Sequence, residues 1–190
     1  MVHLQELLGK EGPHSGALIR SLALLVARAG AGCLPPAHAP IFTVARLVAL
    51  RKKDKTPRPI AVGEVLRRLV AKCLLATDET SAELASLVTH QLGVGVPDAC
   101  SLITQTIQGL LPRLPVDGDW VLLQVDLKNA YNSVLRFPAL QTCATTCPSL
   151  LPWSRWTYCC ENPIFLGEKI IGGTRGVQQG DPLGPVLFSL

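Results

Sequence analysis

Val121-Leu122-Leu123-Gln124-Val125-Asp126-Leu127-Lys128-Asn129-Ala130-Tyr131 is the stretch on which the reading of this chain turns. A run of apolar, β-prone residues ends on a carboxylate, and an aromatic follows five residues later. Both faces of the run are apolar and Trp120 precedes it, so the pattern predicts a buried strand. An acid at the end of such a strand is held at the rim of a sheet, within reach of hard cations and phosphates. The same Asp126 also suits the N-cap of a following helix. Locally both readings stand, and the choice rests on the rest of the chain.

The chain has 190 residues, 48% hydrophobic and 17% charged, enough for one sizeable core with room for two lobes. A net charge of +4 permits a nucleic-acid partner without demanding one. The placement of that charge says more. Arg51, Lys52, Lys53, Lys55 and Arg58 crowd together, and Arg67, Arg68 and Lys72 follow. Seven cysteines and no secretory leader pattern predict free thiols in a reducing compartment, an intracellular protein, nuclear or cytoplasmic and not secreted. Cys143, Cys147, Cys159 and Cys160 lack the spacing of a zinc site and read as buried structural cysteines. Residues 17–30 are strongly apolar, but Arg20 and Arg28 interrupt them and they are too few to span a bilayer. No membrane partner is expected.

Residues 1–30 read as helix, with Leu18, Leu22, Leu25 and Val26 on one face. A Gly/Pro loop over 30–40 precedes a strand over 41–50. Residues 58–62 return as a second strand, giving a hairpin near 41–62 with a cationic tip. Such a tip is either a solvated turn or a phosphate-attracting one. Residues 64–76 predict a helix with Leu66, Leu69, Val70 and Cys73 as its apolar stripe and Glu64, Arg68 and Lys72 on another. The charged stripe suits ion pairing or a nucleic-acid backbone. More helix is expected over 78–87 and 100–111. Between them Gly93 and Gly95 mark a turn or a backbone that another chain approaches closely. Beyond Tyr131, helices are expected to 147 and over 148–158, with Leu150, Trp153 and Trp156 packing inward. A hairpin follows, turning at Gly167-Glu168. Gln178, Gln179 and Gly180 form a polar loop before a helix that Asp181 would cap and Pro182 would start.

Taken in order, Arg58-Pro59-Ile60 with Arg67-Arg68 and Lys72, the 91–95 stretch Gln-Leu-Gly-Val-Gly, the 125–134 stretch around Asp126 and Tyr131, and Gly176-Val177-Gln178-Gln179-Gly180-Asp181-Pro182-Leu183-Gly184-Pro185 resemble a reverse transcriptase. The likeness is nearest to the enzymes of non-LTR retrotransposons and runs from about Leu18 to the last residue. It implies an α+β right-hand polymerase fold. Fingers would occupy residues 1–118 and the first part of the palm 119–190, with no thumb. It implies RNA template, DNA primer and deoxynucleoside triphosphates as partners, and Mg²⁺ as cofactor of the full-length enzyme.

The resemblance also implies roles. Asp126 matches the first metal-binding aspartate, and the backbone carbonyl of Leu127 helps hold the same ion. Tyr131 matches the aromatic that lies under the incoming sugar and excludes a 2′-hydroxyl. Gln179 and Gly180 match the loop that contacts the incoming nucleotide. Arg58 matches the fingers arginine over the triphosphate, and Lys52 or Lys53 a second phosphate-contacting cation. Arg67, Arg68, Lys72, Gly93 and Gly95 would lie along nucleic acid. Gly184 stands where the wider family often has Ser. The family's next motif, an aromatic-x-Asp-Asp turn, does not occur before Leu190. The expectation is therefore a fragment or degenerate copy that is inactive alone, either part of an RNA-directed DNA polymerase or a remnant that at most binds nucleic acid.

Overall fold

Two β-hairpins share one sheet. The computed structural model describes residues 15–51, 55, 57–87 and 91–190. Strands β1 (Ala45–Arg51) and β2 (Pro57–Gly63) pair antiparallel from Ala45↔Gly63 to Arg51↔Pro57, the hairpin expected near 41–62, although the β-branched and aromatic Ile41, Phe42 and Thr43 that begin the predicted strand are helical. Strands β3 (Asn162–Leu166) and β4 (Lys169–Gly173) turn at Gly167, whose φ of +60° favours a residue without Cβ. The order is β2-β1-β3-β4, with β1 and β3 joined in parallel through Ala45↔Ile164 and Arg46↔Phe165. The sheet thus draws one hairpin from before residue 118 and one from after it.

Helices supply most of the other regular elements of this mixed α and β architecture. They are α1 (Ser15–Gly30), α2 (Ala39–Thr43), α3 (Val65–Leu75), α4 (Asp78–Leu87), α5 (Ala99–Leu110), α6 (Ala130–Ser133), α7 (Arg136–Thr146), α8 (Leu151–Tyr158) and α9 (Gly184–Ser189). Helix α2 occupies part of the stretch expected to be strand. Pro40 at its first turn presets the helical φ, and Thr43 Oγ1 donates back to the Ala39 carbonyl at 2.8 Å. Among the described residues no helix is long and apolar enough to cross a membrane. Residues 1–14 of the expected first helix lie outside the described residues.

The core is built around α8, as Leu150, Trp153 and Trp156 led us to expect. Trp153 and Trp156 stack at 5.3 Å, and Phe42 meets both edge-on. Trp156 Nε1 donates to the Leu34 carbonyl at 2.9 Å, satisfying the polar handle of a buried indole. Val70 and Ala71 of α3, Cys143 of α7, and Leu183, Val186 and Leu187 around α9 complete it.

Cys143 and Cys147 are buried as expected, but Cys159 and Cys160 are exposed because α8 ends at Tyr158 and the chain turns outward. Burial pushes the Cys143 thiol from its ordinary value of 9.0 up to about 12, with Cys147 and Glu83 adding to the effect. A raised acid stabilises the fold fully below its unfolded value and loses that contribution as pH climbs. Stability should therefore fall from pH 9.0 toward 12, and Cys143→Ala should shallow the fall by about one proton. Urea midpoints measured across that range check this; a slope that Cys143→Ala leaves untouched would refute it.

The predicted strand over 121–127 does not form. The segment runs outside the sheet and is exposed, with Val121 at 90%, Leu123 at 79% and Val125 at 66%. Strand preference expresses packing against neighbouring strands, and no described strand pairs with this segment. Its apolar residues therefore lack the surface that would bury them.

Candidate functional site

Asp126 and Leu127 lie on this exposed segment. Asn129 then enters the left-handed region at φ 55°, which Asn tolerates, and precedes the single turn of α6 without a side-chain capping bond. That turn swings Tyr131 back against the body of the protein. The Tyr131 ring is half-buried and stacks on Phe188 of α9 at 5.2 Å with an 18° interplanar angle. Its edge also abuts Gly184, where an added Cβ would lie 3.4 Å from the ring.

The glutamine loop is tied to the same turn by backbone. Val177 N–H donates to the Tyr131 carbonyl at 2.8 Å, and Gly176 N–H to the Val134 carbonyl at 2.9 Å. Gly176 has φ +73°, and a Cβ there would sit 2.7 Å from the Asn132 backbone, so the approach requires glycine. Arg136 secures the join by donating from Nε to the Gly176 carbonyl at 2.8 Å and from Nη1 to the Cys160 carbonyl at 3.0 Å.

On its other side the loop meets the first hairpin. Buried Gln178 donates from Nε2 to the Thr43 carbonyl at 2.9 Å, and its Oε1 packs against Gly63 at the end of β2. Gln179 and Gly180 are half-buried, and Gly180 lies beside the Ala61 carbonyl and the Val62 backbone of β2. Tyr131, Gln179, Gly180 and the hairpin root thus share one neighbourhood.

Arg67 differs from expectation. It is fully buried and so is not available to a nucleic-acid backbone. Its Nε and Nη2 donate to Asp181 Oδ2 at 3.0 and 2.7 Å, and its guanidinium lies 4.6 Å from the Tyr158 ring centroid. Tyr158 donates its hydroxyl proton to the same Oδ2 at 2.7 Å and accepts the Gln178 N–H at 3.2 Å. Burial works against the Arg67 charge, but Tyr158 and Asp181 together hold its pKa above the ordinary value. Burial also pushes the Tyr158 phenol upward, with Arg67 pulling against it, so the hydroxyl stays a donor. Asp181 also accepts the Leu183 N–H at Oδ1 at 3.0 Å. It therefore braces the turn before α9, which starts at Gly184, two residues later than expected from Pro182.

The apolar stripe of α3 explains the difference. Its buried residues are Arg67, Val70 and Ala71, while Leu66 is exposed, so the inward face is rotated from the one expected. The spacing Arg67, Val70, Ala71 and Leu74 is itself helical, and this was the signal that an arginine faces inward. Tyr158 and Arg136 carried no such signal.

The remaining expected residues are dispersed. Arg68 is half-buried and Lys72 exposed on α3. Gly93 and Gly95 are exposed in a loop that Gln91 closes on itself, donating from Nε2 to the Val94 carbonyl and accepting the Val94 N–H at Oε1. Arg58 has its backbone in β2 opposite Leu50. Lys52 and Lys53 lie outside the described residues. Among the described residues no three His, Cys, Asp or Glu gather as a metal site. Compared with models of known protein families and with curated proteins, the chain matches none.

Proposed function

We propose that this chain supplies the fingers and the first part of the palm of an RNA-directed DNA polymerase, with the site around Tyr131 and the glutamine loop receiving a deoxynucleoside triphosphate. The observation that carries the reading is the convergence of distant segments. Backbone bonds join Tyr131 to Val177, and Gly180 abuts Ala61 on the cationic hairpin. An aromatic face and polar loop backbone are what a sugar and a base need, and the cations that the sequence puts in this hairpin are what a triphosphate needs.

In this reading Tyr131 lies under the incoming sugar and leaves no room for a 2′-hydroxyl. Gln179 and Gly180 contact the nucleotide. Arg58, with Lys52 or Lys53, neutralises the triphosphate, and Arg68, Lys72, Gly93 and Gly95 follow the template and primer. Arg67 takes a different role and holds Asp181 beneath the loop. The Asp126 carboxylate and the Leu127 carbonyl are the hard oxygen donors that Mg²⁺ takes. When bound, the ions of such enzymes activate the primer hydroxyl and stabilise the leaving pyrophosphate. One carboxylate and one carbonyl are fewer oxygens than a catalytic ion pair uses, so this chain's own part is to bind and orient.

Binding of a labelled RNA–DNA primer-template should fall steeply with salt, because each neutralised phosphate releases counterions. Lys52→Glu, Lys53→Glu and Lys55→Glu together should flatten that slope by about two to three units of log affinity per log salt. An unchanged slope would mean that the tip is a solvated turn. The exposed, strandless position of Asp126 favours a second reading, nucleic-acid binding without catalysis. Deoxynucleotide binding that Mg²⁺ enhances and Asp126→Asn abolishes would support the polymerase reading; binding indifferent to both would support the second.

A further inference from the structure

Cys159 and Cys160 are exposed neighbours whose Sγ atoms lie 3.4 Å apart, in the turn between α8 and β3. Main-chain geometry rarely brings adjacent thiols together, because side chains at i and i+1 of an extended segment point to opposite faces. Here Cys159 continues the helical backbone of α8 at φ −71° and ψ −19°. Arg136 also fixes the next carbonyl, that of Cys160, at 3.0 Å. The pair stands at the rim of an open cavity of about 860 Å³ whose wall includes Phe137, Leu140 and four charged groups, the carboxylate of Glu161 and the cations Arg136, Arg155 and Arg175, so positive charge prevails. The proposed nucleotide site uses neither cysteine.

We propose that Cys159 and Cys160 form a reactive vicinal dithiol that reduces small anionic disulfides, drawn to this cavity by Arg155 and Arg175. The thiolate of one cysteine attacks a sulfur of R–S–S–R, forming a mixed disulfide and releasing R–S⁻. The second thiolate attacks the protein sulfur of that mixed disulfide, closing the Cys159–Cys160 bond and releasing the second R–S⁻. Two electrons pass from the dithiol to the small disulfide, and the two cysteine protons end on the released thiols. Burial and the neighbouring Cys160 hold the Cys159 thiol above its ordinary value, with Arg155 pulling against them, so the exchange speeds as pH rises.

The test uses the full chain with Cys33, Cys73 and Cys100, the other exposed cysteines, replaced by Ser. Treatment with glutathione disulfide should remove two hydrogens from the peptide holding both cysteines, and Cys159→Ser should stop at a glutathione adduct on Cys160. Phenylarsine oxide, which clasps paired thiols, should protect both from alkylation in the parent and not in Cys159→Ser. Glutathione disulfide should react about tenfold faster than cationic cystamine at low salt, and Arg155→Gln with Arg175→Gln should erase that preference. Two thiols still alkylated after oxidation, or a mixed disulfide that persists in the parent, would overturn the dithiol assignment. A rate indifferent to the charge of the disulfide would overturn the anionic substrate.

Discussion

Asp181→Ala should destabilise the protein by about 3–5 kcal/mol, because it strands a buried guanidinium. Arg67 is fully buried and its Nε and Nη2 converge on one Asp181 oxygen, its only ion-pair partner among the described residues. Tyr158 and the Leu183 N–H would lose their acceptor as well. The double variant Arg67→Met with Asp181→Leu should recover only part of the loss: removing both charges removes the stranded-charge penalty, but Tyr158 and the Leu183 N–H stay without an acceptor. Urea unfolding of the parent, Arg67→Met, Asp181→Leu and the double variant measures the coupling. A single-variant loss below about 1 kcal/mol would place the pair in a wetter setting than its geometry shows.

Gly176→Ala should cost more than about 2 kcal/mol. At φ +73° an alanine is strained on its own account, and its Cβ would press on the Asn132 backbone, which cannot yield as a side chain does. The strain falls on the join between Tyr131 and the glutamine loop, so nucleotide affinity should drop along with stability. Gly180→Ala is the control. Its Cβ would meet the Ala61 carbonyl at 3.4 Å, an ordinary contact, and its stability should stay near that of the parent. Thermal melts of both variants decide the matter; equal losses of stability would mean that the close approach at Asn132 is not the constraint.

Local patterns foretold the local structure. The β1–β2 hairpin, the turn at Gly167 and the inward-facing tryptophans of α8 follow from two strand-like stretches around a basic turn, from a turn glycine and from helical spacing. What depended on distant partners was harder to read. Residues 121–127 carry strand-forming side chains, yet strand formation needs a neighbour that composition cannot supply. Arg67 resembled a surface cation because charge outweighs position in a first reading, although it shares a helical face with Val70 and Ala71. Its partner Asp181 is 114 residues away, and Tyr158 reached the same oxygen with no motif to announce it. The close packing of Tyr131 on Gly184 and Phe188 likewise depended on the backbone join at Val177.

That separation of 114 residues also sets an order of events during synthesis. A chain emerges from its N-terminal end, so α3 can be helical long before Asp181 exists. Until then Arg67 has no counter-charge, and sinking it into an apolar interior would be opposed by its own hydration. Strand β1 waits in a similar way for Ile164 and Phe165 of β3. This part of the nascent protein should therefore stay loosely packed until Asp181 has emerged, and tighten when the turn around it closes over the guanidinium.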